Sequence, residues 1–493
     1  MNSDLITKMT PDKKPILRRP GPYLLAAVLV VLSVSVYHYV KPLPPGISYE
    51  GDVHEADGLE FIYDVTYEAE NGSALQEQEI FERLFQMIED AEEFIFLDMF
   101  LFNDDYDRSM EFPALSKQLS DILIEKKQQN PEMEIIFLTD PINTFYGTYL
   151  PDHLKELEEN DIHLFMTNLS ELRDSNPLYS GIHRTFLQWF GTSEKGWLPN
   201  VFSLDAPDVN IRSYLSMFHF KANHRKTVLT ENEGMVTSAN PHDASAHHSN
   251  IAVTFQGGIL EDLLASEKAA AIMSGADKEL FDDFAVSPSE KSDRNEENEQ
   301  VQLLTEKKIK NHVLEEITTA EAGDELKLGM FYLSDRDIIQ ELLGAAEREV
   351  SIKIVLDVNK DAFGSEKNGI PNRPVAGELI EESGGGIDIR WYETDGEQFH
   401  SKFFISKRGE EMTFIGGSSN FTKRNLHNFN LETNVRVSGH NSSPFLQETE
   451  AYFNRIWNNE NGTYTAEYKE YEDNAYLKKW LYRFQEWSGL STF

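Results

Sequence analysis

Cysteine is absent from the 493-residue chain. Disulfides, zinc–thiolate sites and cysteine nucleophiles are therefore excluded. Basic residues are scarce: 45 Lys and Arg face 84 Asp and Glu, for a net charge of −39. Such a surface repels polyanions at long range. It lacks the many cations that tight nonspecific binding to nucleic acid requires, although a small basic pocket remains compatible with it. Long apolar runs are also missing, with one exception, and a hydrophobic content of 40% is too low for a protein with many membrane spans. It is enough for packed lobes, and the length points to two of them.

The exception is YLLAAVLVVLSVSVYHYV, residues 23–40, which contains no Asp, Glu, Lys or Arg. At about 1.5 Å per residue it is just long enough to cross a hydrocarbon core. Lys8, Lys13, Lys14, Arg18 and Arg19 precede it, while Glu50, Asp52, Glu55, Asp57 and Glu60 follow. The positive-inside bias predicts a cytoplasmic tail at 1–22, a transmembrane helix at 23–40, and everything beyond on the extracytoplasmic side of a cell membrane, as in bacterial surface proteins. The rival is a signal peptide cleaved near Ser33-Val34-Ser35. KPLPPG, opening 41–59, reads as a stiff stalk instead.

Three stretches recur in one order. FIFLDMFLFNDD (94–105) resembles LKLGMFYLSDRD (326–337), EIIFLTDPIN (134–143) resembles IKIVLDVNK (352–360), and DIHLFMTN (161–168) resembles GIDIRWYE (386–393). Each is a short apolar run closed by turn or polar residues, the pattern of a buried parallel strand. Helical patterns lie between them. The expected fold is α/β: two similar α-β-α sandwich lobes, at 60–286 and 301–465, on mostly parallel sheets. SPSEKSDRNEENEQ (287–300) predicts a solvated linker. The halves differ in one place, since 62 residues separate Ile162 from His224 and 13 separate Ile387 from His400. The extra length, at about 170–216, contains RTFLQWFGTSEKGWLPNVF, which fits either an element packed on the core or a lid or bilayer-facing lip. Aromatic residues at helical spacing in 466–493 predict a docking helix.

Each half then carries a hairpin, HRKTVLTENEGMVTSAN (224–240) and HSKFFISKRGEEMTFIGGSSN (400–420). Residues two apart in a strand face the same way. His224 thus projects with Lys226, His400 with Lys402, Ser238 with Asn240, and Ser418 with Asn420. A hairpin brings the head of one strand beside the tail of the next, so each half gathers an imidazole, an ammonium, a hydroxyl and an amide. That set suits a phosphodiester. Lys offers a point charge and Asn a neutral donor to nonbridging oxygens. One imidazole can attack phosphorus while another protonates the leaving oxygen. His-x-Lys by itself says little, because it also occurs at His153–Lys155 and His219–Lys221. His153, in a polar helical stretch, is expected at the surface, and His219 at most behind the site.

The paired hairpins resemble the phospholipase D superfamily, whose signature is His-x-Lys, an Asp, then Gly-Ser-x-Asn, usually present twice. The resemblance covers most of the chain after about residue 60. It implies a pseudo-twofold axis, one site between the halves that a monomer completes, no metal or other cofactor, and two-step phosphoryl transfer through a phosphohistidine. His224 would be the nucleophile and His400 the general acid. Lys226, Lys402, Asn240 and Asn420 complete the catalytic set, and Ser238 and Ser418 bind substrate. The sequence departs from the signature at Glu231 and Lys407, where the Asp belongs, and at Thr237 in place of Gly. A further acid usually orients a histidine. Glu432 of NLETN is expected to serve His400, whereas HHSNIAV in the first half offers Asn250 and no carboxylate.

The expected substrate is a phospholipid head group, turned over by hydrolysis or by phosphatidyl transfer. The membrane segment, the aromatic insertion and the acidic charge favour lipid over nucleic acid. The alternatives are an anchored nuclease of the same superfamily, which needs a basic groove between the lobes, and an inactive phosphate-binding scaffold.

Overall fold

The computed structural model describes residues 20–491 except 107, 109, 110, 192, 194, 204, 288–298, 363, 364, 367 and 474. The basic tail before residue 20 and most of the linker expected at 287–300 lie outside the described residues.

The first half supplies strands β1 (Glu60–Glu68), β2 (Phe94–Met99), β3 (Glu134–Thr139), β4 (His163–Met166), β5 (Lys226–Thr230), β6 (Gly234–Thr237) and β7 (Asn250–Phe255). The second supplies β8 (Gln300–Thr305), β9 (Glu325–Met330), β10 (Ser351–Asp357), β11 (Ile387–Tyr392), β12 (Lys402–Arg408), β13 (Glu411–Gly417) and β14 (Thr433–His440). The first sheet runs β1-β7-β6-β5-β2-β3-β4 and the second β8-β14-β13-β12-β9-β10-β11, with short strands added at the edges. The order is the same in both, so the duplication seen in the sequence is a duplication of fold.

The three repeated stretches are the parallel strands: β2, β3 and β4 in one sheet, β9, β10 and β11 in the other. The remaining pairings are antiparallel. The sheets are therefore mixed rather than mostly parallel, because the tight turns after β5 and β12 leave no room for a crossover. β2 is buried at every residue, including Asp98, which accepts from the Asn223 side chain.

Helices Ile80–Asp90, Leu115–Gln129 and Asp152–Glu159 cover the outer face of the first sheet. Arg336–Glu347 and Asn372–Ser383 cover that of the second. The inner faces meet in one continuous core with helices Ile259–Met273 and Pro444–Asn458, where Phe61 of β1 packs edge-on against Phe414 of β13 at 5.6 Å. Each sheet is thus the middle layer of an α-β-α sandwich, and the sandwiches share their inner layer.

The N-terminal helix Pro20–Val40 exposes apolar side chains along its length. Gly21–Val40 is long and apolar enough to cross a membrane, with a mean hydropathy of 2.0. Residues 41–59 differ from the expected free stalk. Ile47 is buried in the shared core, Tyr49 donates to Asp262 at 2.6 Å, and His54–Glu55 joins the second sheet beside β8. The segment buckles the lobes together because its apolar residues find cover there and its backbone finds an open sheet edge.

Candidate active site

Both hairpins lie where the parallel strands end. Lys226 stands opposite Met99, the last residue of β2, and Lys402 opposite Met330, the last residue of β9. The next residues, Phe100 and Phe331, fold over the histidines. Phe100 lies 4.7 Å from the ring of His224, and Phe331 lies 5.0 Å from that of His400. The same rings face the ammonium groups, at 5.0 Å for Lys226 and 5.4 Å for Lys402. The doublet Met-Phe, repeated at 99–100 and 330–331, is the sequence signal for these two residues, which the motif alone does not reveal.

Each histidine is tied to the opposite half. The His224 amide donates to Leu431 O at 2.9 Å, and the His400 amide to Ser249 O at 2.8 Å. Asn223 pairs in parallel with Leu431, and Ser249 with Phe399. Behind these, Asp140 accepts from the Asn223 amide at 2.7 Å and Asp357 from the Phe399 amide at 2.8 Å. The two acids close β3 and β10, and they fix the chain immediately before each histidine.

This stitching reverses the expected orienting partners. Glu432 follows Leu431, so its carboxylate reaches Nδ1 of His224, at 3.0 Å, not His400. Asn250 follows Ser249, and its Oδ1 lies 3.1 Å from Nδ1 of His400. The amide orientation is set by its NH₂, which donates to His248 O at 3.1 Å, so Oδ1 accepts from a protonated Nδ1. In both histidines Nε2 is the atom left for chemistry.

Ser238 Oγ donates to Asn250 Oδ1 at 3.0 Å and accepts from the Ile251 amide. Ser418 Oγ donates to Glu432 at 2.5 Å and accepts from the Thr433 amide. Both hydroxyls hold the orienting residues. Asn240 and Asn420 behave otherwise: Oδ1 of each is buried and has no hydrogen-bond partner among the described residues.

Electrostatics separate the groups. Burial pushes the imidazoles of His224 and His400 well below the usual range, and Lys226 and Lys402 push in the same direction. Burial lowers Lys226 to about 7 against the pull of Glu432, Asp98 and Asp140, and lowers Lys402 further, with Lys226 adding to the effect. Glu432 is raised to about 8 by burial, opposed first by Lys226. The cross-lobe bonds of His224 with Leu431 and Glu432, and of His400 with Ser249 and Asn250, place both halves around one centre. Lys226 and Lys402 each donate to the carbonyl of their own histidine, and neither has a carboxylate within ion-pair distance among the described residues. Burial and mutual repulsion suppress the charge of the two lysines, and an anion placed between them would restore it.

The remaining candidates fall outside this centre. Glu231 accepts from the amides of Glu92 and Glu93 at the far end of its hairpin, and Lys407 pairs with Glu450 at 3.0 Å. Both are structural. His153 is buried rather than at the surface: its ring packs edge-on against Phe102 at 4.8 Å and bonds to Phe102 O. His219 pairs with His183 at 2.9 Å inside the insertion. Asp335, Asp337 and His427 have the spacing of metal ligands, but Lys310 Nζ stands among them, 3.0 Å from Asp335 and 2.6 Å from Asp337.

The geometry can now be set beside known proteins. Residues 313–457 match the family model described as cardiolipin synthase, PLD-like domain. That match covers most of the second lobe, which is thus similar to a phospholipase D-like domain. Among solved structures, phosphatidylserine synthase of Haemophilus influenzae Rd KW20 aligns over 93% of this chain and 98% of its own, with a TM-score of 0.56 and 10% identity. That likeness shows the two-lobed phospholipase D-like fold over nearly the whole chain. The phospholipase D family member Nuc of Salmonella typhimurium covers 32% of this chain and 95% of its own at 22% identity, with a TM-score of 0.25. Comparison with curated proteins gives no match. The phospholipase D-like lobes thus meet at a pseudo-symmetric cluster of two imidazoles, two ammonium groups and two amides.

Proposed function

We propose that the chain is a membrane-anchored phosphodiesterase acting on phospholipid head groups by a two-step phosphohistidine mechanism. The observation that carries this reading is the pair of histidines, each held through Nδ1 by the opposite lobe, beside two buried lysines that have no ion-pair partner among the described residues. Nε2 of His224 attacks phosphorus. The bond to the head-group oxygen breaks as Nε2–H of His400 protonates it, and a phosphatidyl-histidine remains. His400, now neutral, takes a proton from water or an alcohol, whose oxygen attacks phosphorus and releases His224. The developing positive charge on His224 is stabilised by Glu432. Lys226, Lys402, Asn240 and Asn420 neutralise and orient the nonbridging oxygens.

Lipid is favoured over nucleic acid by the net charge of −39, by the apolar N-terminal helix and by the exposed aromatic residues beside it. The matched domain family and the fold relative are both phospholipid synthases by name. The test is turnover by the full chain in detergent, with excess EDTA, of mixed phospholipid and of single-stranded DNA. Release or exchange of lipid head groups, lost in His224→Ala and in His400→Ala, is expected. Cleavage of DNA alone would replace the reading with that of a nuclease. Phosphate binding without turnover of either would replace it with a scaffold.

A further inference from the structure

The insertion in the first lobe lies beside the N-terminal helix. The Asp174 amide donates to His38 O at 3.0 Å, Arg173 Nε donates to Lys41 O at 2.7 Å, and Lys41 Nζ donates to Ser170 O at 2.8 Å. From there helix Pro177–Ile182 and the wider turn His183–Leu187 run antiparallel to the N-terminal helix and pack on it. The crossing is close at Gly181, where an added Cβ would lie 1.9 Å from Ser35 Oγ and 2.9 Å from Val31 O. Ser35 is five residues before Val40. At about 1.5 Å per residue the crossing sits roughly 8 Å inside the apolar segment, and the chain continues deeper from it.

The side chains sort by face. Arg184 points inward and is paired with Asp174 at 2.5 Å, which Lys221 also holds at 2.9 Å. Leu178, Ile182, Phe186 and Phe190 recur every fourth residue and are exposed, at 57%, 49%, 49% and 64%, with Trp189 at 75%. Spacing of four puts them in one stripe. That stripe is level with Leu25, Val28, Leu29 and Leu32 of the N-terminal helix, which are exposed too. An apolar helix that crosses a bilayer cannot leave a partner packed at mid-depth in water.

We infer that residues 177–190 are a re-entrant element buried in the bilayer beside the N-terminal helix, and that they seat the active site at the membrane surface. The occupant of the stripe is lipid. The inference rests on the membrane anchoring in the proposed function and adds depth and position to it. The link to the site is short. A cavity of about 290 Å³ lies between this element and the loop after β3, lined by Pro141, Tyr146, Leu187, Arg212, Leu215 and Lys221. Lys221 is three residues before His224, and Asp140, next to Pro141, holds the Asn223 amide. Tyr39 also packs on Phe429 at 5.3 Å, close in sequence to Glu432. The cavity and the Tyr39–Phe429 contact thus place the bilayer side of the molecule beside the segments that carry His224 and Glu432.

The absence of cysteine makes the test clean. Single variants Leu32→Cys, Phe186→Cys, Phe190→Cys and Leu75→Cys, each in the full chain in phosphatidylglycerol–phosphatidylethanolamine vesicles, carry a nitroxide. Collision with oxygen and with a water-soluble nickel chelate reads depth. The expected result is lipid exposure at 32, 186 and 190 and water exposure at 75. Lipid at 32 with water at both 186 and 190 overturns the re-entrant element and leaves the anchor intact. Water at 32, 186 and 190 overturns the anchor and this inference together. A label at 186 and 190 shielded from both reagents means protein contact, which overturns lipid as the occupant.

Discussion

Two histidines in like settings differ in the group behind Nδ1, and the difference divides their roles. In the proposed mechanism a carboxylate stabilises the cation that forms when His224 attacks phosphorus; an amide fixes a tautomer but adds no charge. His400 must be protonated to act as an acid, yet burial and the nearby lysines hold its pKa well below the usual range. A base whose pKa is lowered is protonated only at lower pH, so turnover limited by the first step should fall as pH rises through the acid range. Asn250→Asp places a carboxylate behind His400 and should move that limb upward by about one unit or more, read from the pH profile of kcat/KM. Glu432→Gln keeps an acceptor but removes the charge behind the nucleophile. It should lower kcat by about 10²-fold or more with little change in KM, measured by steady-state kinetics on a folded variant. These pairings were not legible in the sequence. Glu432 and Asn250 stand at matching places after each motif, but the strand edge that each meets belongs to the other half, and nothing local encodes that.

At the scale of elements, alternation along β5 explains why Arg225 leaves the site. Its neighbours His224 and Lys226 face the centre, so Arg225 faces inward and is wholly buried. It pairs with Glu306 at 2.9 Å and with Glu267 at 3.4 Å. Glu306 also accepts from the amides of Ser48 and Glu432, so one carboxylate joins the 41–59 segment, both lobes and the orienting acid. Arg225→Met leaves buried acids unpaired and should cost about 3–5 kcal/mol of stability, checked by denaturant unfolding. The parallel strands were legible as apolar runs because both of their faces are buried. The path of 41–59 was not, since KPLPPG has the composition of a spacer whether or not it finds a groove. The C-terminal helix Tyr476–Ser488 divides by face: Tyr482 and Glu486 are buried, while Tyr476, Trp480 and Trp487 are exposed. The docking expected from its aromatic spacing therefore describes one side only.

For the whole molecule, duplication is the means by which one anion site is assembled. Each lobe presents an imidazole whose Nδ1 the other lobe orients. The shared inner core and the 41–59 segment keep the halves in one register, and the phospholipase D-like order of strands follows from repeating a single unit. The His-x-Lys and Ser-x-Asn pattern revealed the centre because hairpin geometry is local. The hydrogen bonds of Ser238 and Ser418 to Asn250 and Glu432 were not legible, because those partners come from the segments that follow each hairpin. The most direct test of the account is to map the covalent intermediate. His400→Ala is mixed with a lipid phosphodiester bearing a nitrophenolate leaving group, which departs without an acid, while the base for the second step is missing. Quenching in denaturant at mildly alkaline pH, which spares the acid-labile phosphorus–nitrogen bond, and peptide mass analysis should find phosphatidyl attached to His224, and none in His224→Ala. An adduct on His400 in the wild type, or turnover that persists in both histidine variants, would contradict the mechanism.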